Sequence, residues 1–234
     1  LVRLAPSRLS KEAARALKPD TDEDTVVKSL TDTEEAVVCL EREGQISLGG
    51  ITDIRPFLEK AKREVTLSAD ECIAVWENAQ RYGQIQDFFA SKGEDYPQLS
   101  QRAETLGDFS LLVQRVGAVF DENHQVRDNA SVELARLRTR IAELERRTKR
   151  YIQQILADKS YQKYFQDTLV TVRNNRSVIP VKQEYRHAFP GIVHDMSASG
   201  ATLYVEPLAV VDANNDLQTA KLAEEKEIER IYRR

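Results

Sequence analysis

Cysteine is nearly absent from this 234-residue chain, which has only Cys39 and Cys72. Neither sits in a Cys-x-x-Cys pair or near a histidine at metal-ligand spacing. A disulfide framework and a zinc site are therefore excluded as organising devices, and two buried, reduced thiols are expected. Glycine and proline are also scarce, at 9 and 7 residues. With so few breakers and so much Leu, Ala, Glu, Lys and Arg, the composition favours helices. No apolar run approaches the roughly 20 residues needed to cross a membrane, and no signal peptide is visible, so no membrane partner is expected. The formal net charge is only -4, so any basic footprint for nucleic acid must be local. No G-x-x-x-x-G-K-[ST] phosphate loop occurs, and neither Lys182 nor Lys221 can stand in for its lysine. The Gly49-Gly50 pair lacks a following lysine and reads as part of a tight bend over Leu48–Ile51. A chain that starts at Leu1 without methionine is expected to be a fragment or a processed piece.

What is present is mostly charged, leucine-spaced helix, interrupted once. Residues 168–207 carry short alternating apolar runs with turn residues at the joints. Four strands are expected: Leu169–Arg173, Val178–Lys182, Ile192–Met196 and Thr202–Val205. Asn174-Asn175 suits a tight hairpin turn, since Asn tolerates positive φ. Ser197-Ala198-Ser199-Gly200 makes the second turn, with Gly200 left-handed. Pro180 cannot donate to a ladder, which argues for an edge strand or an outward-facing position. Two hairpins pairing with each other would give a small antiparallel sheet that needs a helix to lean on.

Helical patterns flank this stretch. Short helices are expected at Ser10–Leu17, from an Asp20–Asp24 cap to Glu43 with Gly44 as its stop, and from an Asp53 cap to about Glu64. A Ser68/Glu71 capping box opens a helix over Ala69–Ser91. Pro97 opens another, and Phe109–Val119 forms a further one. Val26, Val27, Leu30, Val37, Val38 and Leu40 supply the apolar faces of the second helix. Trp76 is read as a core anchor rather than a stacking platform, and His124, in the polar connection 121–129, as solvated. From Ser131 to about Phe165 the residues Leu134, Leu137, Ile141, Leu144, Thr148, Tyr151 and Ile155 recur at three- and four-residue spacing, the seam of a long paired helix roughly 50 Å long. After the sheet, Val211, Leu217, Leu222, Ile228 and Ile231 mark a returning helix.

The segments RNNRSVIPVKQEYR (173–186) and GIVHDMSASGATLYVEP (191–207) resemble the MutS II family, the second type of MutS paralogue. The run H-D-x-S-x-S-G-x-T-L-[YF]-[VI]-E-P carries the resemblance, and GGITDIRP (49–56) fits it; together the likeness covers nearly the whole chain. It implies a mostly α, α+β fold: a helical core (1–130), an outgoing lever helix (131–167), a small antiparallel β-subdomain (168–207) and a returning lever helix (208–234). It also implies a parent that is a cytoplasmic homodimer, an ATPase using ATP and Mg²⁺, with an endonuclease module elsewhere, acting on branched DNA or on ribosomes and their rRNA. This piece would hold no catalytic, cofactor or metal site of its own.

His194 and Asp195 beside Ser197 and Ser199 invite a hydrolase reading. Neighbours in a strand point to opposite faces, so His194 and Asp195 cannot pair without a bulge, and no G-x-S-x-G elbow exists. Asp195, Ser197, Ser199 and Gly200 are therefore read as a structural turn. Glu206 is placed to fix the start of the returning helix or to pair with an arginine of the sheet. Nucleic-acid contact is the stronger functional reading. Arg173, Arg176, Lys182 and Arg186 of the sheet, and Arg146, Arg147 and Arg150 of the long helix, are the candidate phosphate contacts, the sheet group being favoured. The alternative is a structural coiled-coil interaction or dimerisation module, with Leu137 and Leu144 in its seam and the helix charges merely solvated.

Overall fold

The computed structural model describes residues 2–5, 7–44 and 50–234. It divides into two compact units, Leu1–Arg127 with Tyr232–Arg234, and Asp128–Ile231. Of the bend expected at residues 48–51, Leu48 and Gly49 lie outside the described residues; Gly50 has φ +80°.

The first unit is helical: α1 (Arg8–Ala16), α2 (Glu23–Glu43), α3 (Arg55–Lys62), α4 (Ala69–Ser91), α5 (Pro97–Glu104) and α6 (Ser110–Val119). α1 starts earlier than its apolar pattern suggests, because Ser7 and Ser10 form a reciprocal capping box with serine in place of the usual acid. α2 is capped by Asp22 and stopped by Gly44 at φ +76°, and α4 opens with the Ser68/Glu71 box. α3 begins two residues after Asp53, whose carboxylate accepts from Arg55 N at 3.2 Å, and ends at Lys62, with Glu64 left-handed. α2 departs most from expectation. Val27, Leu30, Val37 and Leu40 are exposed, whereas Asp32 and Cys39 are buried. Polar anchoring turns the helix: Asp32 pairs with Arg102, and the Glu35 carboxylate accepts from Gln98 N and Leu99 N at 2.9 and 3.0 Å, capping α5 from outside. Cys39 then packs with Phe89, Tyr96 and Ala103. Cys72 is only partly buried, unlike the expected fully enclosed thiol. The Trp76 indole donates to Val113 O at 3.0 Å.

The second unit contains α7 (Val132–Ala157), a four-stranded sheet and α8 (Val211–Tyr232). Ser131 caps α7. At about 1.5 Å per residue the helix is about 39 Å long. It is shorter than expected because Asp158 leaves the helical region and takes Ser160 N onto its carboxylate at 2.9 Å, a local turn that competes with further helix. The buried seam runs Leu134, Leu137, Ile141, Leu144, Thr148, then Ile152 and Leu156, not Tyr151 and Ile155. A straight helix drifts against a 3.5-residue repeat, so the seam steps to spacings of four.

α8 fills that seam. Ser131 Oγ donates to Glu227 at 2.7 Å, Arg138 meets Glu224 at 2.8 Å and Lys221 meets Glu145 at 2.9 Å, so the two helices run antiparallel. Its buried face is Ala213, Asn214, Leu217, Ala220, Glu227 and Ile231, while the expected Leu222 is exposed. Ala220 and Leu217 cluster with Ile141 and Leu144.

The sheet comprises β1 (Thr171–Arg173), β2 (Arg176–Lys182), β3 (Gly191–Met196) and β4 (Thr202–Pro207), in the order β1-β2-β4-β3, all antiparallel. Asn174 and Asn175 have φ of 50° and 60°, the doubly left-handed hairpin turn. β2 is central despite Pro180. The Pro180 carbonyl accepts from Gln166 N, so its missing N–H points to the β1 side, where β1 has not yet begun at Thr171. Ile179, Val181, Leu203 and Val205 form the inner face, packed on Ile152 and Leu156 of α7 and on Val210 and Ala213 at the start of α8. The sheet thus covers the end of the helix pair where α7 stops and α8 starts.

Candidate nucleic-acid interface

The hairpin turn sets Arg173 directly opposite Arg176. Like charges facing each other across a ladder are unfavourable, and each has its own carboxylate. Arg173 Nε lies 3.1 Å from Asp195 Oδ2, with the guanidinium 4.2 Å from the centre of the Tyr204 ring. Arg176 Nη1 donates to Glu206 Oε1 at 2.8 Å and Nη2 to Asn215 Oδ1 at 2.7 Å. Glu206 is fully buried, yet His194 Nε2 at 2.6 Å and Asn214 Nδ2 at 2.7 Å also donate to it. Burial pushes the Glu206 carboxyl up; the hydrogen bonds from Asn214, Arg176 and His194 outweigh it and hold the group below its ordinary range.

A bulge makes this network. Val193 faces Val205 and Asp195 faces Tyr204, so His194 is an extra residue in β3. In a regular ladder Asp195 would face Leu203. The extra residue moves Asp195 to Arg173. His194 and Asp195 then serve different partners and do not pair with each other. At the second turn, Ser197 Oγ accepts from Thr202 N at 3.1 Å, Asp195 Oδ1 from Met196 N at 2.8 Å, and Gly200 has φ +75°. Ser199 Oγ lies 3.4 Å from Ser197 Oγ.

The remaining candidates are freer. Lys182 Nζ donates to Lys163 O at 3.3 Å, and Arg186 is exposed. On α7 the ion pairs lie at or before Glu145: Arg136 with Glu133, Arg138 with Asp128 and Glu224, Glu145 with Lys221. Arg146, Arg147, Lys149 and Arg150 follow, all exposed and lining one surface groove with Arg140 and Glu143. Among the described residues no carboxylate lies within ion-pair distance of these four; Arg146 donates to its own helix and Arg147 to the Tyr151 hydroxyl. The four cations occupy five consecutive positions, interrupted only by buried Thr148.

No family model matches the chain. Curated proteins do. Endonuclease MutS2 of Geobacillus sp. (strain WCH70) is 40% identical over 228 residues, 96% of this chain and 29% of its own. Endonuclease MutS2 of Bacillus velezensis is 40% identical over 232 residues, 98% and 30% of the respective chains. That of Brevibacillus brevis is 38% identical over 233 residues, 99% and 30%.

The chain belongs to the MutS2 family.

It spans about 30% of the length of the curated relatives it matches. In this MutS2 chain the motif H-D-x-S-x-S-G-x-T-L-Y-V-E-P has a physical reading: its first residue, His194, donates to its Glu206, and Ser197 and Gly200 close the turn between them. The sequence holds no G-x-x-x-x-G-K-[ST] loop, and among the described residues no group of three His, Cys, Asp or Glu could hold a metal. Nor, among them, is any helix long and apolar enough to cross a membrane. Asn214 and Asn215 were not legible as partners of the sheet. The only hint is two adjacent amides at the start of an otherwise charged helix.

Proposed function

We propose that the α7–sheet–α8 unit is the nucleic-acid-facing lever of a MutS2 protein, and that the basic run of α7 makes its phosphate contacts. The observation that carries this reading is the set Arg146, Arg147, Lys149 and Arg150, exposed in one groove where Glu143 is the lone carboxylate among the described lining residues and makes no ion pair with them. Solvated helix faces balance their charges by ion pairs, as Glu133–Arg136, Arg138–Glu224 and Glu145–Lys221 do on the preceding stretch of α7. The run 146–150 does not, and a cluster of this kind is what a polyphosphate chain requires. The structure shifts weight from the sheet to the helix, because Arg173 and Arg176 already neutralise Asp195 and Glu206. By the same reading the whole protein is a cytoplasmic, homodimeric, ATP- and Mg²⁺-dependent endonuclease acting on DNA or on ribosomal RNA, for which this segment is scaffold and transmitter. Its names among relatives support the endonuclease assignment.

The test is fluorescence anisotropy of the full chain with a labelled branched DNA and a labelled rRNA helix, between about 50 and 200 mM salt, the range over which phosphate contacts lose affinity most visibly. Replacing Arg146, Arg147, Lys149 and Arg150 by Glu should lower the logarithmic salt slope by about 3 to 4, at about 0.9 per phosphate for duplex DNA. Reversing Lys182 and Arg186 should cost less. A salt slope unaffected by the helix reversals overturns the reading.

One observation favours a protein-interaction role beside it: Val27, Leu30, Val37 and Leu40 of α2 are each about half exposed or more. Leu137 and Leu144, by contrast, are covered by α8 and offer no seam to a second chain.

A further inference from the structure

Beyond the end of α7 the aromatic residues divide into two groups. Phe165 and Phe189 are 5% and 4% exposed, inside the core between helix pair and sheet. Tyr161, Tyr164 and Tyr185 pack against that core only in part. Their rings continue it outward in a connected series: Phe189 to Tyr161 at 5.5 Å, Tyr161 to Tyr164 at 6.0 Å, Tyr164 to Tyr185 at 4.9 Å. None of the three hydroxyls meets a hydrogen-bonding side chain or carbonyl among the described residues, whereas the Tyr96 and Tyr151 hydroxyls both do. A core filler is served by phenylalanine, as Phe165 and Phe189 show; tyrosine at the rim keeps a π-face and a wet polar end.

Cations surround this rim. Lys163 Nζ stands 5.2 Å from the centre of the Tyr164 ring, and Lys182 Nζ reaches the Lys163 carbonyl, which brings both ammonium groups to the Tyr164 side. Arg186 and His187 are exposed in the turn that follows Tyr185. Glu184, in the same turn, is exposed and has no ion-pair partner among them. Each element alone is ordinary; half-exposed rings in series, ringed by unpaired cations, form the combination that binds single strands. Bases stack on the rings and cations hold the backbone, without preference for sequence. Duplex DNA offers no free base faces to such a surface. The helix rise puts Arg150 about 10 Å from Ala157, at the end of α7, so one strand a few nucleotides long could serve both surfaces.

We propose that Tyr164 and Tyr185, with Lys163, Lys182 and Arg186, form a stacking site for unpaired bases of a single-stranded polynucleotide. This rests on the reading of α7 as a phosphate-contacting helix and adds the form of nucleic acid recognised next to it. The probes are a thymidine oligomer, a uridine oligomer and an abasic oligodeoxynucleotide of equal length and charge, each measured by anisotropy against the full chain at two salt concentrations. Stacking is worth 1–3 kcal/mol per base, about 5- to 150-fold. The base-bearing strands should therefore bind at least about fivefold more tightly than the abasic one, with similar salt slopes. Tyr185→Leu, which keeps apolar volume but removes the ring, should abolish that ratio, while Tyr185→Phe retains it; unchanged circular dichroism and melting verify the fold of each. Equal thymidine and uridine binding assigns the site to any single strand, and a uridine preference to RNA; both support the site. Equal binding of abasic and base-bearing strands, or a ratio untouched by Tyr185→Leu, overturns it. If strands bind with a salt slope that the α7 reversals reduce but without a base effect, only the stacking site fails. If no strand binds with a salt slope, the phosphate-contacting role of α7 fails with it.

Discussion

His194 Nε2 stands 2.6 Å from Oε2 of Glu206, with the imidazole 18% exposed and the carboxylate not exposed at all. Three strands and a helix meet at that carboxylate: Arg176 of β2, His194 of β3, Glu206 itself on β4 and Asn214 of α8. A buried ion is costly unless its lone pairs are satisfied, and here every donor comes from a different element. The network therefore fixes where α8 starts relative to the sheet.

Glu206→Gln keeps the shape and removes the charge. It leaves Arg176 facing a neutral amide and is expected to cost roughly 3–5 kcal/mol, the usual loss on breaking a buried pair from one side. Denaturant unfolding followed by far-ultraviolet circular dichroism measures it. The pH dependence has a definite sign. The folded-state pKa of Glu206 lies below the ordinary value of 4.5, so its contribution is complete above about pH 4.5 and is lost as pH falls through the lower, folded value. The wild-type chain should lose stability steadily below pH 4.5, and Glu206→Gln should flatten that part of the curve. Parallel curves would show that Glu206 is not the group responsible.

Gly191 and Gly83 should respond oppositely to alanine. A Cβ on Gly191 would lie 2.6 Å from the Glu206 carbonyl oxygen and closer still to a Val205 methyl, so β3 would have to move off β4. Overpacking of this kind costs about 1–3 kcal/mol. Gly83, inside α4, has nothing within 4 Å of such an atom. Ala there should stabilise by roughly 0.8–1 kcal/mol, the helix-propensity difference. Chemical denaturation of the two variants checks both signs.

The pattern of legibility follows from what is local. The Ser68/Glu71 box, the Gly44 stop, the two-asparagine turn and the Gly200 turn are decided within a few residues, and the sequence shows them. The hairpin pair was readable from alternation and turns. The orientation of α2 was not, because Asp32 and Glu35 find their partners about 70 and 63 residues away. The bulge at His194 carries no glycine, and no count along β3 reveals it. The α8 face was misjudged because Ala213 and Ala220, rather than larger apolar residues, lie against α7. For the site, charge marked Arg173, Arg176, Arg146 and Arg147, and the sheet pair was favoured; the ion pairs of Arg173 with Asp195 and Arg176 with Glu206, made across strands, were not legible.

Leu144 is 2% exposed and clusters with Ile141, Leu217 and Ala220. Leu144→Ala should cost about 2–5 kcal/mol, as for other buried leucines. The loss should appear as faster amide exchange across the facing stretches of α7 and α8, while sedimentation is unchanged, because the seam is closed within one chain. A change in association state on this substitution would restore the coiled-coil dimer as the better account of α7.

Cys39 and Cys72 should be kinetically distinct. Burial raises the pKa of both thiols, and Glu43 adds to the effect at Cys39. Only the thiolate reacts, so both are slow near neutral pH. Access then separates them: Cys39 is 0% exposed behind Phe89 and Tyr96, whereas Cys72 is partly open. Treatment of the native chain with an aromatic disulfide reagent at about pH 8, just below the ordinary thiol pKa, should release one equivalent of the reagent's aromatic thiolate as Cys72 forms a mixed disulfide. The second should appear only as denaturant separates α2 from α4 and α5, with a rate that tracks the unfolding of that unit. Mass spectrometry of the labelled peptides identifies which cysteine reacts first. Equal labelling rates in native buffer would mean that α2 opens readily and that the Asp32–Arg102 and Glu35–α5 contacts do not hold it in place.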